Sequence, residues 1–195
     1  MKLTDYCILF ATILFGLFVI NDLKIKMINE NQMGQIMLNN NMDEIVVDGL
    51  NAGFIGIEKD NGKKVNLDMV ASQIFQEMSI LFFGKNDMRN MVEKYVKTMI
   101  YIDDDGYFLY KDGKWLEKQE FAYNMSHSDK IEEISIIIEE ATKEVALLAY
   151  NDGESYKNTI DDNTLIIVYC GYNFMTNEFT YKNTYLSAAC IKEKK

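Results

Sequence analysis

Proline is absent from all 195 residues, arginine occurs once, at Arg89, and histidine once, at His127. Without proline no Pro-rich linker separates modules, and turns must rest on Gly, Asn and Asp. One guanidinium cannot build the clusters that recognise phosphate or carboxylate in pairs. The net charge of −10 and pI near 4.6 argue against a nucleic-acid surface, which needs clustered Lys and Arg. One histidine rules out two-histidine metal sites and leaves a single candidate base for a Ser–His or Cys–His pair. That histidine lies in Met125-Ser126-His127-Ser128, a polar stretch before a helix, where a solvated loop side chain is expected. No Gly-rich phosphate cradle of the GxGxxG or GxxxxGK type appears. We assign no catalytic residue, no metal ligand and no cofactor, and expect a protein that is not an enzyme.

Cysteine is scarce too, with three residues. Cys7 sits in an apolar block. Cys170 and Cys190 end two predicted strands, so they are candidates for a disulfide if those strands are neighbours outside the cytoplasm. Two free thiols are the alternative.

Charge is missing altogether from residues 6–20 (YCILFATILFGLFVI), near the start of an otherwise polar chain. At 1.5 Å per residue this block is roughly 22 Å long, against a hydrocarbon core of roughly 30 Å. Leu3 and Thr4 extend it on one side, and Leu23, Ile25, Met27 and Ile28 on the other, with Lys24 and Lys26 able to snorkel. We therefore expect residues 1–28 to be a membrane anchor. A cleaved signal is the competing reading, but the leading residues carry one lysine and one aspartate, and no small-x-small site follows Ile20. A buried core helix is the third reading, disfavoured because the block is apolar on every face.

Beyond it, Leu38, Met42, Ile45, Val46 and Leu50 follow helical spacing, while Asn39, Asn40, Asp43 and Glu44 fall elsewhere. Residues 29–52 thus form an amphipathic extension, with Gly49 and Gly53 marking where it frays. Residues 54–58 read as a strand, and Asp60-Asn61-Gly62-Lys63 as a hairpin turn. Asn66 caps a helix with Leu67, Val70, Ala71, Ile74, Phe75, Met78 and Phe82 on one face, and Gly84 ends it. Asp87 caps a short second helix. Residues 98–102 and 107–110 are strands around an Asp104-Asp105-Gly106 turn, and Asp112-Gly113 makes another turn before Trp115. Asp129 and Glu132 open the strongest later helix, with Ile131, Ile134, Ile138, Ala141, Val145 and Leu148 on its inner stripe. Residues 165–169 are a central strand and residues 181–191 the last one. Residues 53–195 are read as one head domain. The fold class is α+β: an N-terminal transmembrane helix continuing into an amphipathic helix, then a mostly antiparallel sheet packed with helices.

Asp103-Asp104-Asp105-Gly106 matches part of a calcium loop, but Lys114 stands where the loop's glutamate belongs, so a hairpin turn is the simpler reading. Glu132-Glu133 and Glu139-Glu140 lie on a solvent face, and Asp161-Asp162-Asn163 reads as a turn. Tyr169, Tyr172, Phe174, Phe179, Tyr181 and Tyr185 look like strand-face packing, with an exposed subset available to a partner.

The anchor with its flanks (Asp5-Tyr6, Asn21-Asp22-Leu23), residues 43–50 (DEIVVDGL), Gln73-Ile74-Phe75, Phe83-Gly84, the 103–108 hairpin and residues 155–162 (SYKNTIDD) together resemble a family. It is a family of single-pass membrane proteins of low-GC Gram-positive bacteria, associated with type IV pilus-like or Tad-like assembly and conjugation. The layout is also similar to that of pilins, whose acidic residue near the mature N-terminus pairs with a neighbouring subunit's amine. The resemblance implies that role, an intramembrane or interfacial contact, for Asp5; an ordinary helix cap is the alternative. It also implies a non-catalytic component of a pilus-like, secretion or conjugation apparatus at the cell membrane, its head outside the cytoplasm. Expected partners are the lipid bilayer, other apparatus subunits and further copies of the chain, with no nucleic acid. A membrane-tethered sensory or ligand-binding domain is the alternative, and a hydrolase using an acid pair or His127 a third reading.

Overall fold

In the computed structural model the backbone is described for residues 3–58, 62–142, 146–147, 160–161, 163–173, 176 and 178–191. Side chains are described over the same residues except 3–9, 57–58, 62–63, 146–147 and 179–183.

A single unbroken helix, α1 (Leu3–Gly53), runs through both the apolar block and the amphipathic stretch. Its two parts have different fates. From residue 10 to residue 30 every described side chain except Gly16 is exposed, whereas Leu38, Met42, Ile45, Val46 and Leu50 are buried. The i, i+4, i+7, i+8 and i+12 spacing of those five puts them on one side of the helix, which is the side that meets the core. Helix α2 (Leu67–Phe83) lies against α1 and presents Val70, Ala71, Ile74, Phe75 and Met78. The Asn66 side chain caps it, accepting from the backbone N–H of Asp68 and Met69 at 3.1 Å each, and Gly84 closes it at φ 65°.

Gly53 is the last residue of α1, where the helix was expected to end, but Gly49 lies within it. Both are buried where α1 meets α2, and a Cβ at Gly49 would overlap the Ile74 side chain. One at Gly53 would lie 2.8 Å from the Asn66 carbonyl oxygen. The glycines let the two helices approach closely.

The sheet is open, in the order β5 (Lys114–Trp115), β4 (Gly106–Lys111), β3 (Val96–Ile102), β8 (Thr164–Asn173), β9 (Glu178–Cys190), β7 (Ala146–Leu147). Strand β6 (Gln119–Glu120) also pairs with β4, and β1 (Phe54–Glu58) and β2 (Gly62–Val65) form a separate antiparallel pair. All described pairings are antiparallel except β7 with β9. Strand β8 is buried on both faces, which explains its continuous apolar run. Leu165, Ile167 and Tyr169 join Met99 and Tyr101 of β3 in the core under α1 and α2. Ile166 and Val168 join Ile100 and Ile102 on the opposite face, under Ile134 and Ile138 of α4 (His127–Thr142). The result is a mixed α/β domain with helices on both faces of an open sheet.

The expected transmembrane helix is overturned. Among the described residues no helix is long and apolar enough to cross a membrane. The uncharged block is fifteen residues, short of the span required, and lengthening it past Ile20 takes in Asn21, Asp22, Lys24 and Lys26. The single-pass cell-membrane localisation goes with it.

Other local expectations shift. Helix α4 starts two residues before Asp129, and its capping box is Ser126 with Asp129. The Asp129 N–H donates to Ser126 Oγ at 3.2 Å, and the Ser126 N–H donates back to the Asp129 carboxylate at 3.3 Å. The helix ends at Thr142, and residues 146–147 are strand, so Ala141 is its last apolar residue; Val145 and Leu148 lie outside the described residues. Short helix α3 (Arg89–Val92) is preceded by Met88 and has no side-chain cap, so Asp87 does not cap it.

Candidate functional site

Where α1 crosses β8 and β9, its polar residues at 35, 39 and 43 face the sheet. The Tyr169 hydroxyl donates to Asn39 Oδ1 at 3.0 Å, and Gln35 Nε2 donates to the same oxygen at 2.8 Å. Gln35 Oε1 in turn accepts from the backbone N–H of Tyr172 at 3.0 Å, and Ser187 Oγ donates to the Asp43 carboxylate. The i, i+4, i+8 spacing stacks these three side chains along one edge of α1. Burial pushes the Tyr169 phenol far above its ordinary pKa, with the Asp43 and Tyr185 charges adding to it, so it stays a neutral donor. Tyr185 stacks beside it at 6.1 Å between ring centroids. This ladder fixes the rotation and axial position of α1 on the sheet, and so the direction in which its N-terminal half leaves the domain.

That half is a rod. Phe10, Ile13, Leu14, Phe15, Leu17, Phe18, Ile20, Leu23, Ile25 and Ile28 are each at least half exposed, with Phe15 and Phe18 at 69%. They point in all directions around the helix, and large bare apolar surfaces of this kind mark interaction sites. An exposed Lys26–Glu30 pair at 3.9 Å lies at the end nearer the domain, and such pairs stabilise little. Asp5 lies on the backbone of α1, but its side chain, like that of Cys7, is outside the described residues.

The Asp103-Asp104-Asp105 turn is held by lysines. Lys118 Nζ donates to Asp103 Oδ2 at 2.9 Å and to the Asp105 carboxylate. Lys130 Nζ donates to the Asp104 carbonyl at 2.8 Å. The Lys118 hydrogen bond holds the Asp105 carboxyl below the usual carboxylate range. An ammonium thus stands where a cation would bind, and no cluster of three or more metal-ligating side chains occurs among the described residues. His127 is exposed in the first turn of α4. Asn163, at φ 62°, accepts from the Tyr101 hydroxyl at 3.1 Å, and Asp162 lies outside the described residues.

Neither Cys170 nor Cys190 is in a disulfide. Cys170 pairs with Thr184 across β8 and β9, while Cys190 pairs with Thr164, six residues further along β8. That offset is about 20 Å along the strands, beyond disulfide reach. The two strands are neighbours as expected, but the register separates the thiols.

A second constellation was not visible in the sequence. The Tyr110 hydroxyl donates to the Glu93 carboxylate and accepts from Arg89 Nη2 at 3.4 Å, and the Arg89 guanidinium lies 5.2 Å from the centre of the Phe75 ring. Burial and then the Glu93 bond push the Tyr110 phenol up to about 12. Of these residues Glu93 and Tyr110 line an open cleft between the 89–97 segment and the β4–β5 turn, where Asp112 and Gly113 have φ 52° and 83°.

No family model, curated protein or solved structure matches this chain. The resemblance to single-pass proteins of pilus-like and conjugation systems is therefore overturned, and the assignment to such an apparatus, with its membrane-tethered sensory alternative, falls with it. Of the residues that carried it, Ile45, Val46 and Leu50 lie on the α1 core stripe and the 103–108 hairpin is a lysine-clamped turn, while residues 155–159 and 162 lie outside the described residues.

Proposed function

We propose that this protein is a non-catalytic assembly module whose projecting α1 rod packs against the rods of further copies of the chain. One observation carries the reading: ten large apolar side chains of the rod are at least half exposed, on a segment that among the described residues is tied to the domain at its C-terminal end. Together they offer on the order of 1,000 Å² per copy, enough for a stable interface. A flat partner surface would cover one side of such a rod. A pair of rods would likewise leave half of each bare, so the bundle holds three or more helices. Closed assemblies of identical chains are the commonest oligomers, and the absence of charge from residues 6–20 leaves no like-charge conflict between rods there. The non-catalytic half of the reading is supported by the exposure of His127 and by the engagement of Asp103 and Asp105 with Lys118.

The test replaces Phe15 and Phe18 together by Glu and compares molar masses by light scattering. The wild-type chain is expected to run as a discrete oligomer and the variant as a monomer. Near-ultraviolet dichroism of the domain should be unchanged, because neither residue belongs to the core. A monomeric wild type, or a variant of unchanged mass, overturns the reading.

A further inference from the structure

We propose that the cleft between the 89–97 segment and the β4–β5 turn binds a small polyvalent anion of the phosphate class, held by Lys94, Lys97 and Lys111. The cleft measures about 490 Å³, within the range of small-molecule sites. Its three lysines come from three elements: the 3-10 turn Glu93–Tyr95, strand β3 and strand β4. Two carboxylates also line it. Glu93, however, is directed to the Tyr110 hydroxyl, and the Arg89 guanidinium stands on the other side of that same hydroxyl. Asp112, in the turn, is the one remaining acid of the lining. The balance is locally positive on a chain of net charge −10, so the charge here runs against the background.

The donor type selects the ligand. Ammonium groups are compact point charges without the planar fork that matches a carboxylate, and three of them suit an anion with several tetrahedrally disposed oxygens. The lining also limits what else the ligand carries. Val96 is its one aliphatic side chain, and its one aromatic, Tyr110, is a buried floor. With no exposed ring to stack a base, a compact diphosphate-type group fits better than a nucleotide. Gly113 keeps the rim open: a Cβ there would stand 3.4 Å from Glu93 Oε1, at a φ that side chains seldom adopt.

Calorimetric titration of the full chain with pyrophosphate, at matched ionic strength, tests this directly. Saturable one-to-one binding is expected, weakening as salt rises. The Lys94→Ala, Lys111→Ala double variant should bind about tenfold more weakly at unchanged melting temperature. Lys85→Ala, outside the cleft, should bind like the wild type. Absence of binding at millimolar pyrophosphate overturns the proposal, as does equal weakening in the Lys85 variant. Capture by vesicles bearing phosphorylated headgroups without binding of free pyrophosphate overturns it too. The rod variant Phe15→Glu, Phe18→Glu should bind normally, which separates this site from the assembly reading.

Discussion

Tyr169 and Asn39, 130 residues apart in sequence, meet in a buried hydrogen bond of 3.0 Å that joins the middle of the sheet to the C-terminal half of α1. Tyr169→Phe removes the donor but leaves Asn39 Oδ1 accepting from Gln35, so a loss of about 1 kcal/mol is expected. Asn39→Ala strands both the phenol and the Gln35 amide, and should cost about 2 kcal/mol. Urea unfolding of the two single variants and the double variant forms a cycle. Fully additive losses would show that the two groups do not interact.

The two kinds of glycine in α1 should respond oppositely. Gly49→Ala drives a methyl group into Ile74 and should destabilise the domain by about 1–3 kcal/mol. At Gly16 a Cβ meets nothing within 4 Å, so Gly16→Ala should leave the domain's unfolding midpoint unchanged. Equal tolerance at both positions would contradict the close crossing of α1 and α2.

Alkaline pH should unfold the domain through its tyrosines. Tyr107 and Tyr110 have folded-state pKa values of about 12, chiefly through burial and then through bonds to Glu133 and Glu93; Tyr101, Tyr169 and Tyr172 are also raised. A phenol raised by folding contributes stability that is complete below its unfolded value of about 10 and is lost as pH climbs through the folded value. The window is therefore pH 10 to 12. Absorbance at 295 nm and circular dichroism followed together should show most phenolates appearing with the loss of structure. Early ionisation of these tyrosines in a folded domain would contradict their burial.

The aspartate-rich turn should ignore calcium, because the Lys118 ammonium occupies the space between Asp103 and Asp105. Calcium should leave the melting temperature of the wild type unchanged. In Lys118→Ala the Asp105 carboxyl should titrate nearer its ordinary value, which carbon-detected NMR would follow. The linkage sign is that of a depressed acid: the bond's contribution is present above the unfolded pKa and fades as pH falls.

Periodicity exposed much of this fold. Leu38, Met42, Ile45, Val46 and Leu50 announced a buried helix face, Asn66 and Gly84 bounded α2, and residues 165–169 marked the central strand. It failed where polarity and burial part company. Asn39 fell off the apolar stripe yet is buried, because nothing local announces that Tyr169 will meet it. Gly49 read as a place where the helix frays because its neighbour on α2, Ile74, is supplied by tertiary packing. The lysine-lined cleft joins residues 90–97 to residues 110–113, which only the strand pairing brings together. The apolar rod was conspicuous, but its length, too short for a bilayer, was the property that mattered.

Sedimentation equilibrium of the full chain over a hundredfold range of concentration, with and without phospholipid vesicles, tests the assembly claim most directly. A single closed species of three or more copies, favoured by salt that screens the acidic domains and left in solution by the vesicles, is the predicted result. A monomer throughout, or a chain that leaves solution with the vesicles, would contradict it.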